Sequence, residues 1–172
     1  MTRNELLRTI EILFWEQSFS ELSMDAIAKK LDMKKASLYY HFPSKDEMFL
    51  SVLEYSFESF LEHLNSLKNI QEPRDIVRAC IEFPYKEKNL FSIVSQKGYC
   101  QIALIESWML EKQAFVRSHV IALCHERFAW TNERTILFLS LLDSLAKQCC
   151  MNRKQGTPDI DSLITEIIHL FF

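Results

Sequence analysis

Gly98 and Gly156 are the only two glycines in a chain of 172 residues. Tight hairpins and bulged strands require backbone at positive φ, which glycine adopts without steric cost, so a sheet-rich chain of this length needs many more. The shortage predicts an all-α protein of long helices and sparse loops. Four prolines then mark the breaks, and 48 % apolar with 25 % charged residues is the balance of a packed globular chain rather than a disordered one. No apolar run approaches the roughly eighteen residues that a membrane span needs. The charged, amphipathic start MTRNELLRTIEILFWEQ lacks the apolar centre of a signal peptide. Five cysteines, with no CxxC among them, fit a reducing compartment, so a cytoplasmic protein without membrane attachment is expected.

Helical spacing accounts for most of the sequence. Leu6, Ile10, Leu13, Phe14 and Gln17 share one face of a first helix over residues 3–17. Ser23 stands before Met24, Ile27, Ala28 and Leu31, which marks it as the N-cap of a short second helix. Asp32 tolerates left-handed backbone and is the expected stop of that helix. A third helix runs from Lys35 to His41 and ends before Pro43. Ser44 and Glu47 have the spacing of a capping box, opening a fourth helix over residues 44–68 whose stripe is Phe49, Val52, Leu53, Phe60, Leu61 and Leu64. The break at Glu72–Pro73 is followed by helical patterns over 74–83, 86–96, 100–128, 131–152 and 158–171, about nine helices in all. Thr157–Pro158 reads as the cap and first residue of the last one.

The net charge of −3 argues against nucleic acid until its distribution is considered. Between Lys29 and Lys45 stand five lysines and a single acid, Asp32. Two short helices joined by a tight turn, the second led by lysines and rich in hydroxyls and aromatics, suit the major groove of DNA. In that second helix Leu38 and Phe42 are one turn apart and face a core. Lys35, Ser37, Tyr39, Tyr40 and His41 are left to face outward. Lys45, at a helix N-terminus with free N–H groups, is a candidate phosphate contact.

The stretch FSELSMDAIAKKLDMKKASLYYHFPSKDEMF resembles the DNA-binding domain of the TetR (tetracycline-repressor-like) family. The resemblance covers residues 3–60 and rests mainly on the run LYYHFPSKDE. It implies an N-terminal three-helix helix-turn-helix domain, residues 1–46, connected by the fourth helix to a C-terminal helical bundle, residues 47–172, for ligand binding and dimerisation. It also implies base or backbone contacts from Lys34, Lys35, Ser37, Tyr39, Tyr40 and His41, and phosphate contacts from Lys45 and from the capped start at Ser23 and Met24. Family members commonly carry glycine where this chain has Ser18, Asp32 and Ala36, and a Ser/Thr cap where it has Lys34. The last departure leaves the operator sequence open.

Further expectations concern the C-terminal two-thirds. Phe83, Tyr85, Tyr99, Leu104, Trp108, Met109, Phe115 and Trp130 are candidates for a pocket that takes an unidentified hydrophobic or amphipathic effector, as the resemblance implies. Leu137, Leu141, Leu145, Ile160, Leu163, Ile164, Ile167, Ile168 and Phe171 are candidates for a homodimer interface, because two half-sites on a duplex need a two-fold protein. His119, Cys124 and His125 are not on one helical face, so no metal site is expected. Cys149–Cys150 is a weak redox motif. No cofactor is expected and no enzyme motif is present, neither a phosphate-binding glycine loop nor a nucleophile elbow. The expected function is a ligand-responsive repressor that binds palindromic operator DNA. The alternative is a helical-bundle interaction module without DNA-binding activity.

Overall fold

The computed structural model describes residues 2–92, 103–151 and 159–172, and only the backbone of residues 85, 103, 104 and 146–151. Among the described residues there is no strand. The α-helices are α1 (Arg3–Glu16), α2 (Met24–Lys30), α3 (Lys35–His41), α4 (Lys45–Ser66), α5 (Pro73–Lys86), α6 (Ala103–Phe128), α7 (Asn132–Met151) and α8 (Ile160–Phe171), with a 3-10 turn at Leu67–Asn69. None of them is long and apolar enough to cross a membrane.

Local chemistry explains the N-terminal boundaries. Thr2 and Glu5 form a reciprocal capping box at the start of α1, which satisfies two orphan donors at once. The Ser23 hydroxyl accepts the Ala26 N–H, and the Ser44 hydroxyl accepts that of Glu47. The turn from α2 to α3 is a Schellman motif: Asp32 takes φ 52°, the Met33 N–H donates to the Ala28 carbonyl at 2.9 Å, and that of Asp32 to Lys29. The short linkage fixes the α2–α3 angle.

Two apolar cores follow one another along the molecule. The first joins α1, α2 and α3 to the first half of α4. It continues without a gap into Leu90, Phe91, Ile105 and Met109. Phe14, Phe19 and Phe49 form its aromatic centre. The second core packs α5 against α7 and α8 through Val77, Ile81, Phe138, Leu142, Ile164 and Ile167, with Trp130 and Cys124 beside them.

Three boundaries differ from the expected ones. α5 continues through Pro84 to Lys86; a proline in the last turn deletes only one helical hydrogen bond, and just past the helix Lys88 takes left-handed backbone, φ 51°. The expected 86–96 helix starts at residue 90, and from 93 it lies outside the described residues. The last helix is capped by Asp159, whose carboxylate accepts the N–H groups of Asp161 and Ser162. Thr157 and Pro158 lie outside the described residues.

The left-handed residue at position 32 generates a test. Asp32→Gly removes the Cβ clash of that conformation and should raise stability by about 1 kcal/mol, whereas Asp32→Val should lower it by more. Urea unfolding midpoints measure both, with the order Gly, Asp, Val expected.

Candidate nucleic-acid interface and bundle cavity

The α3 helix is attached to the molecule by two side chains. Leu38 and Phe42 are 0 % and 1 % exposed, and they sit in the first core. Around them Lys34, Lys35, Ser37, Tyr39, Tyr40 and His41 all face solvent. Tyr40 is 87 % exposed, so its ring contributes nothing to the core. His41 lies edge-on to it at 5.6 Å. The Lys35 ammonium bridges to Asp25 on α2 at 2.7 Å; this hydrogen bond, with the Coulombic attraction of Asp25, raises its pKa. An exposed pair of this kind is worth little, and an incoming phosphate can replace the carboxylate.

Two expected contacts need correction. Met24 is buried in the first core, so only its backbone is available at the α2 start; the exposed partner there is Ser23. Lys45 points inward. Its ammonium donates to the carbonyls of Phe19 and Leu22 at 2.8 and 2.9 Å and lies 4.0 Å from the centre of the Phe19 ring. Two of its three hydrogens therefore close the loop between α1 and α2. Spacing alone gave no sign of this, because a lysine stem reaches either solvent or a neighbouring loop.

Between α4, α5, α6 and α7 lie two adjoining cavities of about 310 and 390 Å3. Leu64, Cys80, Val120, Leu139 and Leu142 line both. The smaller one is walled by Phe60, His63, Phe83 and Phe91, with exposed Gln113, Arg117, Ser140 and Asp143 at its rim. The larger one reaches Ile76, Cys124, Phe128 and Phe138. His63 stacks on Phe83 with centroids 4.0 Å apart. Burial lowers its pKa, against smaller raising contributions from a backbone hydrogen bond at Ala79 and the charge of Glu87. Burial pushes the Cys80 thiol up to about 12 and raises that of Cys124, so both line the cavities as neutral thiols, not as reactive thiolates.

Of the expected pocket residues, Phe83 lines the smaller cavity. Trp108 and Met109 pack into the first core, Trp130 into the second, and Phe115 is half exposed and stacked on His119. Tyr99, and the side chains of Tyr85 and Leu104, lie outside the described residues, as do Cys100 and the side chains of Cys149 and Cys150. Among the described residues no three His, Cys, Asp or Glu side chains converge as metal ligands.

The expected dimer residues also divide. Leu137, Leu141 and Phe171, with Arg134 and Leu170, line a shallow apolar depression where α7 meets α8. Leu137 and Leu170 are 65 % and 67 % exposed. Leu145, Ile164 and Ile167 are buried within their own chain, so they cannot face a partner. Ile160, Leu163 and Ile168 flank the second core half-buried. The stripe of α8 serves first to cover its own bundle.

Four polar residues that pattern reading passed over are central to the structure. Glu11, Ser56 and Asn89 are each 1 % exposed or less, and Arg127 donates to the carbonyls of Leu67, Ile70 and Gln71 in the turn and linker that follow α4. Glu11 and Ser56 were visible as polar interruptions on otherwise apolar helix faces. Arg127 and Asn89 carried no local signal.

Residues 6–52 match the family described as bacterial regulatory proteins, tetR family. Over 62 residues the chain is 32 % identical to IcaR of Staphylococcus epidermidis, a negative transcriptional regulator of the icaADBC biofilm operon. That match covers 36 % of this chain and spans about a third of IcaR, 34 % of its length. Along nearly its whole length the chain is similar in fold to transcriptional regulators of known structure. One from Aquifex aeolicus has a TM-score of 0.76 at 19 % identity, covering 98 % of this chain and 99 % of that one. A TetR regulator from Legionella pneumophila has 0.78 at 15 %, covering 100 % and 98 %. FadR of Bacillus subtilis, in complex with stearoyl-CoA, has 0.72 at 11 %, covering 96 % and 95 %.

Lys45→Ala should lower stability by about 2 kcal/mol, the scale of lost charge-assisted hydrogen bonds, as read from urea unfolding. A shift below about 0.5 kcal/mol would contradict the internal role. The depressed pKa of His63 means that the unfolded chain binds its proton more readily. Its contribution to stability is therefore complete above the unfolded value of about 6.5 and is lost as pH falls through the lower folded pKa. His63→Gln should flatten the decline in melting temperature between neutral pH and pH 5.

Proposed function

We propose that this chain, whose residues 6–52 match the tetR family and whose fold is similar to that of solved regulators, is a TetR-type transcriptional regulator that binds operator DNA as a homodimer and responds to a small ligand in its C-terminal bundle. The single observation that carries the reading is the exposed face of α3. Six polar, basic or aromatic side chains surround two buried anchors on that helix. A helix with such a face enters the major groove, reading base edges with hydroxyl, amine and ring atoms while flanking lysines hold phosphates. Lys34, Lys35, Ser37, Tyr39, Tyr40 and His41 are the proposed contacts, with Ser23 and the α2 backbone start on a phosphate. The negative control exerted by IcaR supports repression as the sense of regulation.

The homodimer rests on the apolar depression at Leu137, Leu141, Leu170 and Phe171. Exposed leucines grouped in this way are costly to leave in water, and a two-fold axis there would duplicate α3 for a two-part operator. The effector reading rests on the two cavities. Their walls are mostly apolar and their combined size suits an elongated apolar or amphipathic molecule, a class to which the stearoyl chain bound by B. subtilis FadR belongs. Binding releases or retains the operator according to which of two conformations the ligand prefers.

A duplex selected from a random pool against the purified protein tests the reading. Tyr40→Ala should leave stability within about 0.5 kcal/mol of the parent yet weaken that duplex at least tenfold. Lys34→Ala should reduce the slope of log K against log salt by about 0.9, the value of one phosphate contact. An unselective protein, or an unchanged slope and affinity in both variants, refutes the assignment of α3 as the reading helix.

A further inference from the structure

We infer that Glu11, Ser56 and Asn89 form a buried polar junction through which the bundle cavity sets the position of the DNA-reading helices. The junction surrounds the segment 89–92, where a helix begins. The first N–H groups of any helix have no partner within it. Here each is supplied from a different source. The Leu90 N–H donates to Oε1 of Glu11 on α1 at 2.9 Å, and the Phe91 N–H donates to Oγ of Ser56 on α4 at 2.8 Å. The Ser92 N–H donates to Oδ1 of Asn89 at 3.0 Å, and the Asn89 amide in turn donates to the Ser56 carbonyl at 2.8 Å. Glu11 is held from its other side by Arg8 at 2.8 Å. The preceding turn adds Lys88 to Glu16 at 3.2 Å.

The same segment forms part of the cavity wall. Phe91 and Ser92 line the smaller cavity, and the Phe91 ring packs among Phe57, Phe60 and Trp108. One face of a short segment therefore touches whatever fills the cavity, and its backbone is bonded to α1 and α4. An apolar contact could slide in small steps. Buried, directional hydrogen bonds cannot, because leaving a buried N–H unpaired is expensive. A ligand that displaces Phe91 or Ser92 must carry α1 and α4 with it or break the junction. Leu38 and Phe42 seat α3 in the core that it shares with α1, α2 and the first half of α4, so either outcome alters how α3 is presented. Glu11, Ser56 and Asn89 are positioning residues; none of them faces the proposed duplex.

The inference rests on the regulator reading, and the test separates the two. The full chain, wild type and with Ser56→Ala or Asn89→Ala, is titrated with two duplexes, one holding both halves of the selected operator and one a single half. Cooperative thermal melting confirms that each variant folds, and Asn89→Asp, which keeps the Ser92 bond and loses only the donation to Ser56, replaces any variant that does not. Expected is a fall of at least tenfold in the ratio of two-half to one-half affinity, with one-half affinity unchanged within twofold. Glu11→Gln, which retains an acceptor for Leu90, should stay close to wild type. A ratio kept within twofold in folded variants, or equal losses on both duplexes, overturns the junction alone. A wild-type protein with no preference for the two-half duplex overturns the regulator reading itself.

Discussion

The rest of the structure depends on α4 serving as one uninterrupted strut. Its 22 residues present a single stripe that changes partners along its length. Met48, Phe49, Val52 and Leu53 close the core beneath α1, α2 and α3. Phe57, Phe60 and Leu64 then meet the bundle and its cavity. Each buried phenylalanine or leucine contributes about 1.5–3 kcal/mol, so neither end of the helix can detach without losing a core. Ser44 caps the start, and Arg127, remote in sequence, donates to the carbonyl of the C-cap residue Leu67 and to the turn that follows. A close-packed helix of this kind transmits displacement along its length.

Polar groups inside this frame decide register. Lys45 joins the α1–α2 loop to the start of α4, Arg127 joins α6 to its end, and the residues around Glu11 join α1 to the bundle. Around Glu11 these bonds serve buried backbone groups that would otherwise be left unpaired. Apolar packing gives the molecule its stability, but it leaves sliding motions comparatively open. The polar contacts restrict those motions to a few discrete arrangements. The first core reaches from Leu6 to Met109, so the head and the bundle share apolar side chains on top of these bonds.

What the sequence made legible was local. Ser23, Asp32 and Ser44 act within four residues of themselves, so capping and left-handed turns follow from neighbours alone. The inward pair Leu38 and Phe42, and the outward set around them, follow from helical period. Lys45 was misassigned because its direction depends on where the α1–α2 loop passes, which no local pattern encodes. Ile164 and Ile167 were misassigned for a related reason. A striped helix reports that one face is covered, not whether its own chain or a second one covers it. Phe83 was recognisable as part of a cavity wall only by residue type, a property it shares with Trp108, which the fold uses as packing. The wall itself is assembled from α4, α5, the segment 89–92, α6 and α7, which are spread along the sequence from Phe60 to Asp143.

The α3 helix shows how these levels combine. Seven residues are too few for a stable helix in water, and the residue at its N-cap, Lys34, provides no side-chain cap. Its conformation is held from outside, by the Schellman turn behind it and by Leu38 and Phe42 beneath it. Its exposed positions are thereby freed from any part in folding. Tyr40 or Lys34 can change without cost to the core, which is the condition for a surface to acquire new sequence preferences on a constant scaffold. The same dependence runs in the other direction: a helix with no stability of its own takes its place from the α2 turn behind it and from the shared core beneath it. Whatever moves that turn or that core moves the exposed face of α3.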